Sequence, residues 1–366
     1  MFFFECFICK QKFSSNYTNL LCQCGEPLDI HFNNLFAIDQ IDKKYNGLWR
    51  FRKMLPLDEK LEPVSYSECF TPLEKIVINN KILHLKHDYL LPSGSYKDRG
   101  SSVMLSHVKS KGITEIIEDS SGNAGASIAA YAAKAGIKCR ILLPESTTEI
   151  KIKQIAAYGA EIERIQGDRD KTTIEALKLA QKTYYASHIF NPFFYQGIKT
   201  LAYEIFEQMN WNCPENIVIP AGNGTLVVGI FLGFRELKKS GLIAEIPKIT
   251  AIQAVNCSPL KYYTENSSFI GFEKTDTIAE GIAIGKPPRL KQIVEIIKQT
   301  NGQIITVDET EIVEAWKKVM TRGILIEPTS SVVFAALFAG LLNNLEGKIT
   351  MILTGSGLKS VSKIGN

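Results

Sequence analysis

The segment between residues 91 and 100 carries the side chain with the most distinctive potential for chemistry. Its sequence, LPSGSYKDRG, is rich in turn-forming residues and leads into the first turn of a predicted helix, with Lys97 as its only lysine. Held between small hydroxyl residues, that amine could form a Schiff base with a carbonyl compound, provided that the site keeps it deprotonated. The alternative is a solvated lysine at a helix start that pairs with Asp98. The segment by itself leaves both interpretations open.

Two glycine-containing turns have the composition of anion-binding sites. Each follows a predicted strand and precedes a predicted helix, with the sequences SSGNAG at 120–125 and PAGNGT at 220–225. Such turns direct backbone N–H groups and a helix dipole at a ligand outside the sheet edge. Neither matches the G-x-x-x-x-G-K-[ST] pattern or the G-x-G-x-x-G pattern with a downstream acid. The sequence therefore predicts a phosphate site, best at 220–225, for a ligand other than a nucleotide.

Four cysteines lie within the first 24 residues, as a C-x-x-C pair and a C-x-C-G pair. They are Cys6, Cys9, Cys22 and Cys24. Two such tight turns can bring four thiolates around one tetrahedral zinc ion. The second pair is shorter than the usual spacing, so a ribbon without metal is the alternative. No stripe of lysine and arginine surrounds these cysteines, which argues against nucleic-acid binding.

Length and composition exclude several classes of protein. The chain has 366 residues, of which 45% are hydrophobic, and a formal charge of +4, so it is too apolar for a disordered protein. Its opening residues lack a basic leader, and its longest apolar run, Val332 to Leu342, is shorter than the roughly 20 residues that cross a bilayer. We therefore expect a cytoplasmic protein without a membrane segment.

The pattern of elements predicts how these residues are positioned. Short β-branched runs alternate with amphipathic stretches at a spacing typical of parallel sheets covered by helices. We predict an α/β fold with two doubly wound open sheets of mainly parallel strands, preceded by a small cysteine ribbon. The ribbon is predicted to span residues 1–30. A large domain is predicted to combine 31–95 with 190–366, and a smaller α/β domain, 96–189, is inserted between these parts.

Segments along the chain, taken in order, resemble the threonine synthases, a family of pyridoxal-phosphate enzymes with the tryptophan synthase β fold, also called fold type II. The resemblance extends over nearly the whole chain. The segments are the amino-terminal cysteine ribbon with Trp49-Arg50-Phe51-Arg52 and Thr71-Pro72-Leu73, then Ser93 to Gly100, Ser121-Gly122-Asn123, Ala221 to Thr225, Thr277 to Ile282, Glu327 to Ser330, and Leu353 to Lys359.

This resemblance implies a role for each matching residue. Lys97 would hold the cofactor, pyridoxal 5'-phosphate, through a Schiff base, Asn123 would bond its phenolic oxygen, and Thr354 would meet its pyridine nitrogen with a hydroxyl. The residues that would bind its phosphate are Gly222, Asn223, Gly224, Thr225 and Leu226. Those that would bind the substrate are Ser95, Ser121, Gly122 and Asn123. The large domain would then be the cofactor-binding one, and the fold implies a homodimer.

The resemblance also implies a reaction. In threonine synthases the phosphate of O-phosphohomoserine leaves, water adds, and threonine is released, so a small phosphorylated amino acid is the expected substrate. One alternative is a deaminase of serine or threonine, or a β-replacement enzyme that uses O-phosphoserine. Another is an inactive homologue kept as a binding protein, against which the presence of Lys97, Asn123 and Thr354 argues.

Three departures from the family pattern bear on the substrate. Phe194 stands where many of these enzymes have an arginine that holds the substrate phosphate, and a phenyl ring cannot replace a guanidinium fork. Ser356 replaces a histidine, and residues 67–70 replace the usual Gly-Glu-Gly. The basic residues that could restore the lost contact are Lys199, Arg99 and His188.

Overall fold

The computed structural model describes residues 2–33, 35–78, 81–147, 149–270 and 272–363. Its strands are β1 (Phe2–Cys6), β2 (Lys12–Phe13), β3 (Leu28–Phe32), β4 (Leu73–Ile78), β5 (Lys81–Lys86), β6 (Glu115–Glu118), β7 (Lys138–Pro144), β8 (Glu161–Ile165), β9 (Tyr184–Tyr185), β10 (Asn216–Pro220), β11 (Lys248–Ala254), β12 (Gln303–Val307) and β13 (Ile349–Ile352). Its α-helices are α1 (Lys97–Ser110), α2 (Asn123–Ala135), α3 (Glu149–Ala157), α4 (Arg169–Leu179), α5 (Pro192–Ile198), α6 (Thr200–Gln208), α7 (Thr225–Lys239), α8 (Pro259–Asn266), α9 (Leu290–Gln299), α10 (Glu309–Met320) and α11 (Pro328–Phe338).

The first compact unit consists of Met1–Cys69 and Lys97–Ile198. Its larger sheet has the strand order β8-β7-β6-β9, and every neighbouring pair is parallel. The isoleucine and leucine runs of β6 and β7 are buried, as expected for strands covered by helices. A separate antiparallel sheet, β2-β1-β3, carries the amino-terminal cysteines. Phe2 and Phe4 of this sheet pack edge-on against Phe193 of α5.

The second unit consists of Phe70–Tyr96 and Lys199–Asn366. Its sheet has the order β12-β11-β10-β13-β5-β4, and only the edge pair β4–β5 among these pairings is antiparallel. Because β10 and β13 are parallel neighbours, the turns that follow them emerge at the same edge of the sheet. Helix α11 begins with a proline at its first turn and is buried along its length, as its apolar sequence requires. The prediction of an α/β fold with mainly parallel strands is confirmed.

The structure differs from the predicted division of the chain in two places, because residues 31–69 and residues 190–198 both belong to the first unit. Polar contacts with α1 help to hold residues 31–69 there. Trp49 Nε1 donates to Ser102 Oγ over 2.9 Å, and the Val64 N–H donates to Ser106 Oγ over 2.8 Å. Both hydrogen bonds are buried. The hydrophobic periodicity of residues 31–69 does not indicate that Ser102 and Ser106 are their acceptors. In the described part of the chain, no helix combines the length and the apolar character needed to span a membrane.

Candidate active site

The turn between β10 and α7 has the geometry of a phosphate site. Gly224 adopts a left-handed conformation with φ of 86° immediately before the 15-residue helix α7. A Cβ atom on Gly222 would lie 2.9 Å from Ile282 Cα, and one on Gly224 would lie 2.2 Å from Ile293 Cδ1. Asn223 Oδ1 accepts hydrogen bonds from the N–H and the hydroxyl of Thr225, which fixes the turn. The two glycines therefore pack closely against Ile282 and Ile293, and the turn leads directly into a helix start, where backbone N–H groups can bind an anion.

Thr354 lies at the same sheet edge, just after β13. Its N–H donates to Ser330 Oγ over 2.9 Å, and its carbonyl accepts from the Tyr96 N–H over 3.0 Å. Its hydroxyl is buried without a hydrogen-bond partner among the described residues, and so is the hydroxyl of Ser95. A buried hydroxyl without a partner is costly unless a ligand satisfies it. The pyridine nitrogen of pyridoxal phosphate is an acceptor that fits this hydroxyl.

Tyr96 connects these features to the candidate lysine. Its hydroxyl lies 3.2 Å from Thr225 Oγ1 at the start of α7, and Ser95 forms an isolated bridge with Gly355. Lys97 is the next residue and the first of α1, and only 8% of its surface is exposed. The glycine turn, Thr354, Ser95 and Tyr96 thus converge within the second unit. These second-unit residues fit the phosphate and the pyridine ring of pyridoxal phosphate.

The predicted substrate-binding residues Ser121, Gly122 and Asn123 precede or begin α2. Gly122 is exposed, whereas the other two side chains are half-buried. A Cβ atom on Gly125 would lie 1.8 Å from the Ser120 carbonyl oxygen, so only glycine permits this close approach of helix and loop. These residues therefore lie at a helix start, where backbone N–H groups are available to an anion, and their role in binding a carboxylate stays a prediction. These three residues and Lys97 belong to the first unit, whereas the other predicted site residues belong to the second.

Phe194 packs directly beside Lys97 within the first unit. Its ring centroid lies 5.7 Å from Lys97 Nζ, and a Cβ atom on Gly100 would lie 2.5 Å from Phe194 Cδ1. The ring is fully buried. Uncharged aromatic surface therefore occupies this side of the lysine.

The structure shows how two of the candidate basic residues are used. Lys199 is buried and lies 2.9 and 3.0 Å from the two carboxylate oxygens of Glu236, and burial lowers the pKa of Lys199. His188 Nδ1 lies 2.5 Å from Glu118 Oε1, and burial lowers the pKa of His188 well below its usual value. Each of these two side chains is therefore paired with a carboxylate, Lys199 with Glu236 and His188 with Glu118. The third candidate, Arg99, is also buried, with 1% of its surface exposed.

The other departures from the family pattern have structural partners. Ser356 donates its N–H to the Gly94 carbonyl over 3.0 Å and lies beside the loop that precedes Lys97. Glu68 is buried and accepts hydrogen bonds from the Tyr66 N–H and the Tyr131 hydroxyl. A carboxylate at residue 68 therefore supports the packing of the first unit.

The four amino-terminal cysteines converge as predicted. The Sγ separations are 3.6 Å for Cys6 and Cys24, 3.4 Å for Cys9 and Cys22, and 3.6 Å for Cys9 and Cys24. Four thiolates bound tetrahedrally at about 2.3 Å from a zinc ion would be about 3.8 Å apart. The donor set and its spacing therefore fit zinc.

Sequence reasoning missed two buried acids near the lysine. Glu118 ends β6 and Asp119 follows it, and 0% and 1% of their surfaces are exposed. Burial and the neighbouring Asp119 raise the pKa of Glu118 well above its usual value, and the positive charges of Arg169 and Lys97 oppose this shift. The sequence did contain a signal for these buried acids. They form an adjacent pair directly after the apolar residues Ile116 and Ile117, where solvent exposure is not expected.

Comparisons with known proteins identify the family of this chain. Residues 64–355 match the model of the family described as pyridoxal-phosphate dependent enzyme. The threonine synthase of Methanocaldococcus jannaschii is 33% identical over 97% of this chain and 92% of that protein. The threonine synthase of a Bacillus species is 35% identical over 86% of this chain and 90% of that protein.

Solved structures give the same fold. The L-serine ammonia-lyase of Rhizomucor miehei aligns with a TM-score of 0.70 and 20% identity, covering 82% of this chain and 98% of that one. Threonine deaminase isoform 2 of Solanum lycopersicum aligns with a TM-score of 0.67 and 21% identity, covering 81% and 83%. The chain therefore belongs to the threonine synthase family of pyridoxal-phosphate-dependent enzymes of fold type II and is a lyase of that cofactor class.

Proposed function

We propose that this enzyme is a threonine synthase that converts O-phospho-L-homoserine and water to L-threonine and phosphate. The observation that carries the proposal is the match of nearly the whole chain to enzymes named threonine synthase, at 33% identity for the M. jannaschii protein. The proposal also includes a cytoplasmic location, a homodimer and a small phosphorylated amino acid as substrate.

Each site residue has a proposed task. Lys97 would bind the aldehyde carbon of the cofactor, and its amine would accept protons from the α and β carbons of the substrate. The backbone amides of residues 222–226 would bind the cofactor's phosphate, and Asn123 its phenolic oxygen. When bound, pyridoxal phosphate withdraws electrons from the α carbon of an amino acid and so makes its proton acidic.

The environment of the pyridine nitrogen favours elimination. The buried Thr354 hydroxyl is a neutral group, which does not hold a proton on that nitrogen as a carboxylate would. Ser121, Gly122 and Asn123 would bind the substrate α-carboxylate at the start of α2, and Ser95 would add a hydroxyl to the site. The weaker electron withdrawal suits reactions in which a leaving group carries charge away.

A second candidate is a deaminase of serine or threonine, or a β-replacement enzyme that acts on O-phosphoserine. The observation that favours it is the buried Phe194 ring beside Lys97, together with the matching of Lys199 and His188 to carboxylates. Losing one charged phosphate contact costs roughly 1.5 to 3 kcal/mol of substrate binding. A deaminase of serine or threonine, whose leaving group carries no phosphate, would avoid that loss, whereas an enzyme acting on O-phosphoserine would not.

The decisive experiment measures phosphate and threonine released from O-phospho-L-homoserine by purified protein supplied with pyridoxal phosphate. Equal amounts of the two products are the expected result. Parallel reactions with L-serine, L-threonine and O-phospho-L-serine, followed through ammonia, keto acid and phosphate, test the second candidate. Absence of phosphate from O-phosphohomoserine, with protein whose cofactor absorbance is intact, would refute the threonine synthase assignment.

We also propose that Cys6, Cys9, Cys22 and Cys24 hold one structural zinc ion. Replacing Cys22 and Cys24 with serine is expected to remove stoichiometric zinc and to leave cofactor binding unchanged, because these cysteines are separate from the site residues. Elemental analysis gives the zinc content, and visible absorbance gives the cofactor content. Replacement of the exposed Cys69 with serine is the matched control and should keep the zinc. Zinc-free parent protein would rule the site out.

A further inference from the structure

Three polar side chains converge inside the first unit at the carboxyl ends of β6 and β9. Glu118, Asp119 and His188 each place a possible ligand atom within 4.8 Å of the others, and all three are buried. Tyr185, the last residue of β9, is also buried, and the negative charges of Asp119 and Glu118 help to raise the pKa of its hydroxyl. We call these four residues the acid cluster.

Each carboxylate in the acid cluster has one oxygen in use and one without a partner. Glu118 Oε1 contacts His188 Nδ1, and Asp119 Oδ2 accepts from Thr173 Oγ1 over 2.6 Å. Glu118 Oε2, Asp119 Oδ1 and the Tyr185 hydroxyl are buried and make no hydrogen bond of normal geometry among the described residues, although the Tyr185 side chain interacts with Asp119 and Ser187. These buried polar atoms of one cluster therefore lack full hydrogen-bond partners, which a ligand would supply.

The local charge indicates what kind of ligand this is. Two adjacent carboxylates are 0% and 1% exposed, so an anion is excluded by repulsion. Arg169 and Lys97 are close enough for their charges to act on Glu118, but no group donates a hydrogen bond to Glu118 Oε2 or Asp119 Oδ1 in the described part of the chain. A water molecule could donate to these oxygens but would not offset the cost of charging two adjacent buried carboxylates, a cost that raises the pKa of Glu118. A bound cation satisfies both the oxygens and the charge.

We propose that the acid cluster binds one divalent cation of the oxygen-preferring class, Mg²⁺ or Mn²⁺. Glu118 Oε2 and Asp119 Oδ1 would be the charged ligands, and the Tyr185 hydroxyl a neutral one. His188 would hold Glu118 in orientation through its contact with Oε1. Two carboxylates and a hydroxyl match the preference of these ions for oxygen ligands, whereas thiolates such as the amino-terminal cysteines select softer metals.

The cation would have a structural consequence for the enzyme. Asp119 begins the loop that leads to Ser121, Gly122 and Asn123, and Thr173 ties the same side chain to α4. An ion shared by the ends of β6 and β9 would hold this loop in position. Binding is therefore expected to raise the thermal unfolding temperature of the full-length protein containing pyridoxal phosphate.

The test is a titration of that protein with Mn²⁺, without substrate, followed by the loss of the electron paramagnetic resonance signal of the free ion. One ion bound per chain is expected, with affinity lowered about tenfold or more in Glu118→Gln and Asp119→Asn. Glu115→Gln, an exposed residue of the same strand, is the matched control and should bind as the parent does. Tyr185→Phe keeps the packed ring and loses only the hydroxyl, so it tests the cluster even where an acid variant fails to fold.

Three outcomes would overturn the proposal. The first is an undiminished free Mn²⁺ signal with parent protein at millimolar ion concentration. The second is unchanged affinity in folded Glu118→Gln and Asp119→Asn, and the third is unchanged affinity in Tyr185→Phe. Because the titration uses no substrate, its result is independent of whether the protein makes threonine.

Discussion

Replacement of Lys97 with alanine is expected to abolish turnover and the visible absorbance band of the bound cofactor together. The nitrogen that would bond to the cofactor is the same one that would move the substrate protons, so both properties depend on it. The loss of the proton-transfer group alone corresponds to about 10² to 10⁴-fold in rate. Turnover and the absorbance spectrum, measured on the same preparation, check this result.

A matched control separates chemistry from folding. Lys109 lies on the same helix and is exposed, so Lys109→Ala should keep both the spectrum and the activity of the parent. Circular dichroism of the two variants should coincide. Parent-like turnover by Lys97→Ala would contradict the catalytic assignment, whatever the substrate proves to be.

The second large effect is expected from Glu204→Ala, through stability. Lys86 Nζ lies 2.5 Å from Glu204 Oε1, and both side chains are 0% exposed. Lys86 also donates to the Thr71 carbonyl and to Gln208 Oε1, which holds the end of β5 that leads toward Lys97. Removing the carboxylate takes away the negative charge that contacts a fully buried ammonium, at a cost of about 3 to 5 kcal/mol in the free energy of unfolding.

Chemical denaturation of two further variants tests the reason for this loss. The double variant Lys86→Met with Glu204→Leu removes both charges, so it should recover most of the lost stability. Glu245→Ala breaks the exposed pair with Lys238 and should cost no more than about 1 kcal/mol. Equal losses for the buried and the exposed pair would contradict the explanation.

Several features of this protein were predictable because they depend on neighbours in sequence. The alternation of apolar runs and amphipathic stretches predicted parallel strands covered by helices, which the structure confirms. The glycines at 222 and 224 predicted a tight turn before a helix, since few residues other than glycine adopt the φ of 86° at Gly224. Lys97 was correctly expected at a helix start.

Other features became visible only in three dimensions. The sequence showed that Lys199 and His188 are basic residues close to the site motifs, and both were candidates to bind a substrate phosphate. The structure matches Lys199 with Glu236, 37 residues away, and His188 with Glu118, 70 residues away. Likewise, only the packing of the folded chain shows that the Thr354 hydroxyl and one oxygen each of Glu118 and Asp119 are buried without a hydrogen-bond partner among the described residues.

The sequence by itself thus determined the fold class and the cofactor class and placed Lys97 at a helix start, because hydrophobic periodicity, turn composition and motif order are local properties of the chain. The tertiary structure decided which charges cancel, which buried atoms still need a ligand, and that residues 31–69 pack with 97–198. These depend on contacts between residues far apart in sequence, where a charged side chain selects its partner by distance and burial.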